Sequence, residues 1–168
     1  NAIDIVSAYG LDYETDIKAQ YQDFGNSADS LQDGKIDAAF VVAGAPTTAV
    51  TSLATSRDLY LVSLDEEHIA KLKESSPYYS ESVIPADVYG TAEDCTTVAV
   101  GAVVIVRDDV AEQDVYNIVS AIYENVDSLN HDKAKELDLE FAASISNIPY
   151  HPGAAKYFAE KDIEVPTK

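Results

Sequence analysis

The sequence predicts an α/β fold in which helices cover both faces of a mostly parallel sheet, forming three layers. Two observations carry this prediction. Strand-like apolar runs alternate with amphipathic helical runs as far as Ser76, and such alternation is typical of βαβ units with right-handed crossovers. Residues 36–42 are apolar at nearly every position, which indicates a parallel strand buried on both faces. This fold class is favoured over a sandwich or a helical bundle.

Local signals place the elements of the first half. Residues 2–9 carry apolar residues at helical spacing and are followed by Gly10, a typical residue after a helix end. Further helices are predicted over residues 26–33, from Pro46 as first helical residue to about Thr55, and over residues 65–74 with Ile69 and Leu72 buried. The apolar runs between them predict strands at residues 17–24, 36–42 and 59–64.

The pattern changes after Ser76. Residues 77–94 are rich in aromatic and turn-forming residues and are predicted to connect two lobes. A buried strand is predicted at residues 97–106. Beyond it, Asp109 and Glu112 are spaced like a capping pair before a long helix, and a last helix is predicted over residues 153–160. The expected apolar stripe of the long helix comprises Val115, Ile118, Val119, Ile122 and Val126.

The charge of the chain excludes two classes of partner. Asp and Glu number 30 against 11 Lys and Arg, and the net charge is −19. A field of this sign repels phosphate backbones and anionic lipid headgroups, so we expect neither nucleic-acid nor membrane-surface binding. The chain contains no Met and begins within a predicted helix, so we expect it to be a piece of a longer protein.

No enzyme signature is found in the sequence. A P-loop, a dinucleotide-binding fingerprint, G-x-S-x-G and H-E-x-x-H are all missing. Cys95 has acidic neighbours, which disfavour a thiolate nucleophile, and we interpret it as a passive small residue. The chain is therefore expected not to be an enzyme, and we expect no metal and no cofactor.

The most informative segment is the junction of residues 42–48, where the predicted buried strand turns through a loop of small residues into the helix predicted to begin at Pro46. Ligands of open α/β sheets bind beyond the carboxyl ends of the strands, and a helix start presents unpaired N–H groups. A carboxylate would fit there. The alternative is an ordinary turn between a strand and a helix.

Two further segments have a functional and a structural interpretation. Tyr89, in the segment 84–90, could donate a hydrogen bond into a cleft or pack beneath the connection. His151 precedes the last helix and could contact an anion or serve as a helix cap. The residue pattern leaves both alternatives open.

These segments together resemble the TAXI family, solute receptors of tripartite ATP-independent periplasmic (TRAP) transporters. The resemblance covers essentially the whole chain. It rests on residues 33–40 leading into 43–46, on residues 84–85 with Tyr89, on residues 97–100, and on residues 151–154. It implies a periplasmic-binding-protein fold of type II, with two lobes that close on a small solute.

The resemblance also implies an organisation and a site. Residues 1–84 would form the second lobe without its first strand, residues 85–96 the hinge, and residues 97–168 the segment that returns to complete the first lobe. The positions that match the family's ligand-facing loop and hinge are Gly44, Ala45, Pro46, Thr47 and Tyr89. Because the other half of the cleft is missing, we expect the chain to associate with itself or with an N-terminal fragment.

The implied function is capture of a small carboxylate or amino acid, such as glutamate, and its delivery to a TRAP permease. The location would be periplasmic or extracytoplasmic, with a lipid anchor an option for the full-length form. A ligand sensor of the same fold, feeding a signalling partner, is the alternative. An enzyme with an unrecognised site is a third class.

Overall fold

The structure, a computed structural model, describes residues 1–145 and 148–167, and the chain forms two units, Asn1–Ala102 and Val103–Lys168. Residues 146, 147 and 168, which belong to the expected returning segment 97–168, lie outside the described residues. None of the helices in the described residues has the length and apolar character needed to cross a membrane. The first unit contains α1 (Ala2–Ala8), α2 (Phe24–Gln32), α3 (Thr48–Ser56), α4 (Glu66–Ser75), β1 (Tyr79–Ile84), α5 (Ala86–Tyr89) and β2 (Cys95–Val100).

Helices α1 and α4 form where the sequence predicts them, and α2 begins two residues earlier than predicted, at Phe24. The Asp23 carboxylate accepts a hydrogen bond from a backbone N–H at the start of α2, and Asp65 does the same for α4, so each satisfies a donor that the helix start leaves unpaired. Ile69 and Leu72 form the buried edge of α4, with exposed fractions of 3% and 1%. The prediction for this buried edge is confirmed.

Helix α3 begins later than predicted. Pro46 is not its first residue, because Thr47 has an extended backbone (φ −103°, ψ 129°) and is the N-cap residue. The Ala45–Pro46 peptide bond that precedes it is cis. Pro46 therefore belongs to the loop before the helix.

The predicted parallel sheet does not form over the described residues. Residues 17–24, 36–42 and 59–64 have no strand ladder, and the first unit instead holds one antiparallel pair. A strand is defined by hydrogen bonds to a neighbour, and these segments have few. In residues 59–64, Leu64 donates its N–H to Thr96 O over 2.8 Å, and Ser63 Oγ accepts from the Thr96 N–H.

The antiparallel pair joins β1 to β2 with Ile84 opposite Cys95 and Tyr79 opposite Val100. Strand β1 lies in a stretch that was predicted only as a connection. Strand β2 begins two residues before the predicted start, and residues 101–106 of the predicted strand lie outside it. Val104 and Ile105 are 88% and 79% exposed, because no strand among residues 1–145 and 148–167 pairs with them. The observed architecture is thus a mixed helix and strand fold with a small antiparallel sheet.

Two tyrosines attach α1 to the rest of the first unit. The Tyr79 hydroxyl donates to Asp4 Oδ2 over 2.5 Å and lies 2.9 Å from Asn1 Oδ1. Burial, assisted by the Asp4 carboxylate, raises the pKa of Tyr79 to about 12. At the other end of α1, Tyr9 stacks on His68 of α4 with 3.6 Å between ring centroids. These contacts explain why a seven-residue helix is held in place.

The second unit contains α6 (Glu112–Glu124), α7 (Leu139–Ala143) and α8 (Pro152–Ala159), with two short 3₁₀ turns at Val126–Ser128 and Asp132–Glu136. Asp109 does not cap α6 as predicted. Its carboxylate pairs with Arg107, and the N-cap residue is Ala111. Within the predicted apolar stripe Val115 is buried, whereas Ile118 is 52% exposed, because α6 packs on α8 through the face that carries Val115 and Tyr116.

Candidate functional site

The loop before α3 is accessible from solvent and tied to itself by Thr47. Gly44, Pro46 and Thr48 are exposed, and Ala45 and Thr47 are half-buried. The Thr47 hydroxyl donates to Gly44 O over 2.7 Å. It does not cap α3, so the side chain closes the loop instead of satisfying the N–H groups of the first helical turn.

Tyr89 lies in the connection of residues 85–94, which closes the β1–β2 hairpin. Asp94 Oδ1 accepts from the Ala86 N–H over 2.8 Å at the start of α5. Gly90 ends α5 in the left-handed conformation (φ 72°), which glycine adopts without steric cost. Thr91 then donates its N–H back to Ala86 O. The backbone on both sides of Tyr89 is therefore held by hydrogen bonds.

The structure brings the two predicted ligand-facing segments together. The Thr47 N–H donates to the Tyr89 hydroxyl oxygen over 2.8 Å, in a part-buried position and across 42 residues of sequence. The sequence indicated each segment separately, but the spacing of their residues carries no sign of this contact. Helices α3 and α5 also contact each other.

This arrangement offers an acceptor group a small set of donors. The start of α3 carries the partial positive charge of its unpaired N–H groups, and α3 is nine residues long. Tyr89 adds a phenolic hydroxyl next to Thr47. Both groups are neutral, so they can act on an anion only through local dipoles, within a chain whose net charge is −19. Carboxylate oxygens have the hydrogen-bonding character that such donors fit.

His151 is a structural cap. Its Nδ1 accepts from the Gly153 N–H over 3.2 Å, and its Nε2 lies 3.1 Å from Val110 O. The pair of contacts requires a neutral ring that carries its proton on Nε2 and donates it to Val110. Both ring nitrogens are thus used within the second unit. The interpretation of His151 as a helix cap is confirmed. Because the Nε2 proton is donated to Val110 O, the ring has no further proton to donate to an anion.

Cys95 is buried at the start of β2, with 4% of its surface exposed, and its thiol is free. Its position opposite Ile84 makes it a small packing residue of the hairpin. The interpretation of Cys95 as a passive residue agrees with this position.

One polar cluster of the first unit, formed by Tyr9, Asp65 and His68, is not predicted from the sequence. His68 Nδ1 lies 2.7 Å from Asp65 Oδ1, and the Tyr9 hydroxyl donates to Asp65 Oδ2 over 3.1 Å. Hydrogen bonds from the His68 ring and the His68 N–H lower the pKa of Asp65 from 3.8 to about 2. The i, i+3 spacing of Asp65 and His68 was a usable signal, but the contribution of Tyr9 comes from tertiary packing.

A comparison with protein families agrees with a binding role. The model of the NMT1-like family matches residues 1–161, which is nearly the whole chain. This is a periplasmic-binding-protein-like family that is often tied to transport, and the match suggests a solute-binding or ligand-binding protein.

Proposed function

The chain belongs to the NMT1-like family, and we propose that it captures a small carboxylate or amino acid at the start of α3. In this proposal Gly44, Ala45, Pro46 and Thr47 form the loop that presents N–H groups to a carboxylate. Tyr89 supplies a hydroxyl from the connection between β1 and β2. The observation that carries the proposal is the 2.8 Å hydrogen bond between Thr47 and Tyr89, which places the two segments beside each other.

The finer part of the proposal is the transport context. We propose that the protein is a TAXI-type receptor of type II periplasmic-binding-protein fold, located outside the cytoplasm, which hands its solute to a TRAP permease. It binds and releases the solute without breaking a covalent bond. The resemblance to that family supports this context, as does the coarser family match; it rests on residues 33–40, 43–46, 84–85 with Tyr89, 97–100 and 151–154. The net charge of −19 suits a solvated surface.

Binding is tested with the full chain by isothermal titration calorimetry and by thermal shift. L-glutamate and succinate are the carboxylate probes, and 1,4-diaminobutane is the matched probe without an acceptor anion. We expect a carboxylate to raise the unfolding temperature, because a ligand that binds only the folded state stabilises it by mass action. Tyr89→Ala should weaken this binding, whereas Tyr78→Ala, at an exposed tyrosine of the same unit, should leave it unchanged.

Two outcomes would contradict the proposal. One is the lack of any binding heat or thermal shift with L-glutamate, succinate and related amino and dicarboxylic acids at millimolar concentration. The other is an unchanged affinity in Tyr89→Ala.

A further inference from the structure

The hydrogen bond between Thr47 and Tyr89 has a defined direction. A backbone N–H can only donate, so the Tyr89 oxygen is the acceptor in this contact. This hydrogen bond does not involve the phenolic proton of Tyr89. Within residues 1–145 and 148–167 the Tyr89 hydroxyl proton has no hydrogen-bond acceptor. An O–H group that already accepts one hydrogen bond becomes a stronger donor, because successive hydrogen bonds polarise one another.

The same contact joins two parts of the first unit that are built independently. One is the loop of residues 44–47, which is closed by the bond from Thr47 Oγ1 to Gly44 O. The other is the connection of residues 85–94, which is held by Asp94 on the Ala86 N–H. Thr47 N–H is one of the four donors that the start of α3 leaves without a helical partner. Tyr89 satisfies it from outside the helix.

We propose that Tyr89 is a positioning residue, which holds the loop of residues 44–47 to the β1–β2 hairpin and directs its own proton to an acceptor atom of the solute. This inference rests on the proposed function for the identity of the site. It adds a selection rule: because the unused group of the hydroxyl is its proton, the hydroxyl favours carboxylate, carbonyl or similar acceptor oxygens over an ammonium group, which would have to share the oxygen that already accepts from the Thr47 N–H.

The positioning role does not depend on a ligand and is measured in the free protein. We compare backbone amide hydrogen exchange by NMR in the full chain and in Tyr89→Phe, which keeps the ring and removes the hydroxyl. Tyr78→Phe is the matched control, because Tyr78 is 60% exposed. We expect the Thr47 amide to exchange about tenfold faster in Tyr89→Phe and to shift its proton resonance upfield, which is the effect of losing one hydrogen bond. The amide of buried Leu72 in α4 should be unaffected.

The selection rule is then measured with L-glutamate and succinate by calorimetry. Tyr89→Phe should bind the probe about five- to tenfold more weakly than the unmodified chain, while Tyr78→Phe binds it equally well. Equal exchange of the Thr47 amide in the two chains would overturn the positioning role. Faster exchange of Thr47 together with unchanged affinity would overturn the link to the solute.

The two proposals fail in different ways. If the unmodified chain binds neither L-glutamate nor succinate, the proposed function is contradicted, and the exchange of the Thr47 amide decides the positioning role by itself. If faster exchange in Tyr89→Phe extends to Leu72 and the other core amides, the tyrosine acts as a general packing residue, and the positioning role is overturned.

Discussion

At the scale of single residues, two polar side chains show how a local pattern can be interpreted in two ways. In the sequence His151 precedes the last helix and Tyr89 lies in the aromatic segment 84–90, and both could have faced a ligand. The hydrogen-bond partners of the two side chains distinguish their roles. His151 uses both ring nitrogens on the Gly153 N–H and Val110 O, whereas Tyr89, within the part of the chain that the structure describes, uses only its hydroxyl oxygen as an acceptor. Only Tyr89 keeps a group with which to bind something else.

Asp65 supports a prediction about acid stability. Its pKa is lowered in the folded chain from 3.8 to about 2 by hydrogen bonds from His68. A carboxyl group with a lowered folded-state pKa stabilises the fold above its unfolded-state pKa, and that stabilisation is lost as the pH falls through the folded-state value. We therefore expect the contribution of Asp65 to be complete above about pH 5 and lost progressively towards pH 2.

The measurement is urea unfolding between pH 6 and pH 2, using the unmodified chain, Asp65→Asn and Asp58→Asn. Asp58 is an exposed aspartate before the segment 59–64 and controls for the change in net charge. Asp65→Asn should be less stable at pH 6, and the difference from the unmodified chain should shrink as the pH falls below about 4. A difference that is constant over this range would show that Asp65 acts through packing alone.

At the scale of elements, the contact between α6 and α8 depends on Gly153. A Cβ atom built on Gly153 would lie 2.1 Å from the Glu112 carbonyl oxygen and 2.8 Å from the Tyr116 nitrogen. Both are backbone atoms of α6, so neither can move aside like the end of a flexible side chain. The glycine lets the two helices approach closely.

We expect Gly153→Ala to lower the free energy of unfolding of the second unit by about 2–3 kcal/mol, because the helices must separate. Gly25→Ala is the matched control: its Cβ meets only Asp23 Oδ1, at an ordinary 3.5 Å, and alanine is the better helix former. Denaturant unfolding followed by circular dichroism measures both. Equal stability of Gly153→Ala and the unmodified chain would mean that α6 and α8 do not pack through Gly153.

Elements also show why part of the fold was predictable and part was not. Helix α4 is predictable from an N-cap aspartate and from apolar residues at helical spacing, Ile69 and Leu72. All of these signals lie within ten residues. Residues 36–42 carry an equally clear strand pattern, but a ladder needs a neighbouring strand. Strand β1 was missed for the converse reason: Tyr79–Ile84 is polar at several positions and is defined by its pairing with β2.

The candidate site was likewise predictable from the sequence only in part. The small-residue loop at Gly44 and the aromatic residue Tyr89 could be identified from the sequence because each stands at a recognisable junction. Their hydrogen bond could not, since it depends on how α3 and α5 pack. The support that Asp94 gives to α5 was likewise invisible in the sequence, where it is one of many acidic residues.

At the scale of the whole molecule, exposed apolar surface and net charge have opposite effects on self-association. Tyr60 and Val62 are 73% and 70% exposed, and Phe40 and Val42 are 45% and 47% exposed. All four lie in segments that have a strand pattern and no strand ladder. Exposed apolar segments with free backbone groups favour association. A net charge of −19 on each copy opposes it.

We therefore expect the chain to associate with itself in a salt-dependent manner. Raising the salt concentration from about 20 mM to 0.5 M shortens the screening length and should shift the sedimentation profile from 18.1 kDa towards larger species. The double variant Tyr60→Ser, Val62→Thr should remain closer to the monomer. Ile118→Thr, which changes an exposed apolar residue on α6, is the control. A monomer at every salt concentration would refute this expectation.

The aromatic packing of the second unit has a spectroscopic consequence. Tyr157 is 1% exposed and has ring centroids of Tyr116, Tyr123 and Phe158 within about 6 Å, and Tyr150 meets Phe158 edge to face. The chain contains no tryptophan and 11 tyrosines, so its near-ultraviolet circular dichroism comes chiefly from tyrosine. Rings that are fixed against one another contribute most to such a spectrum. These packed rings thus give the second unit an intrinsic spectroscopic signal of tertiary order, without any introduced label.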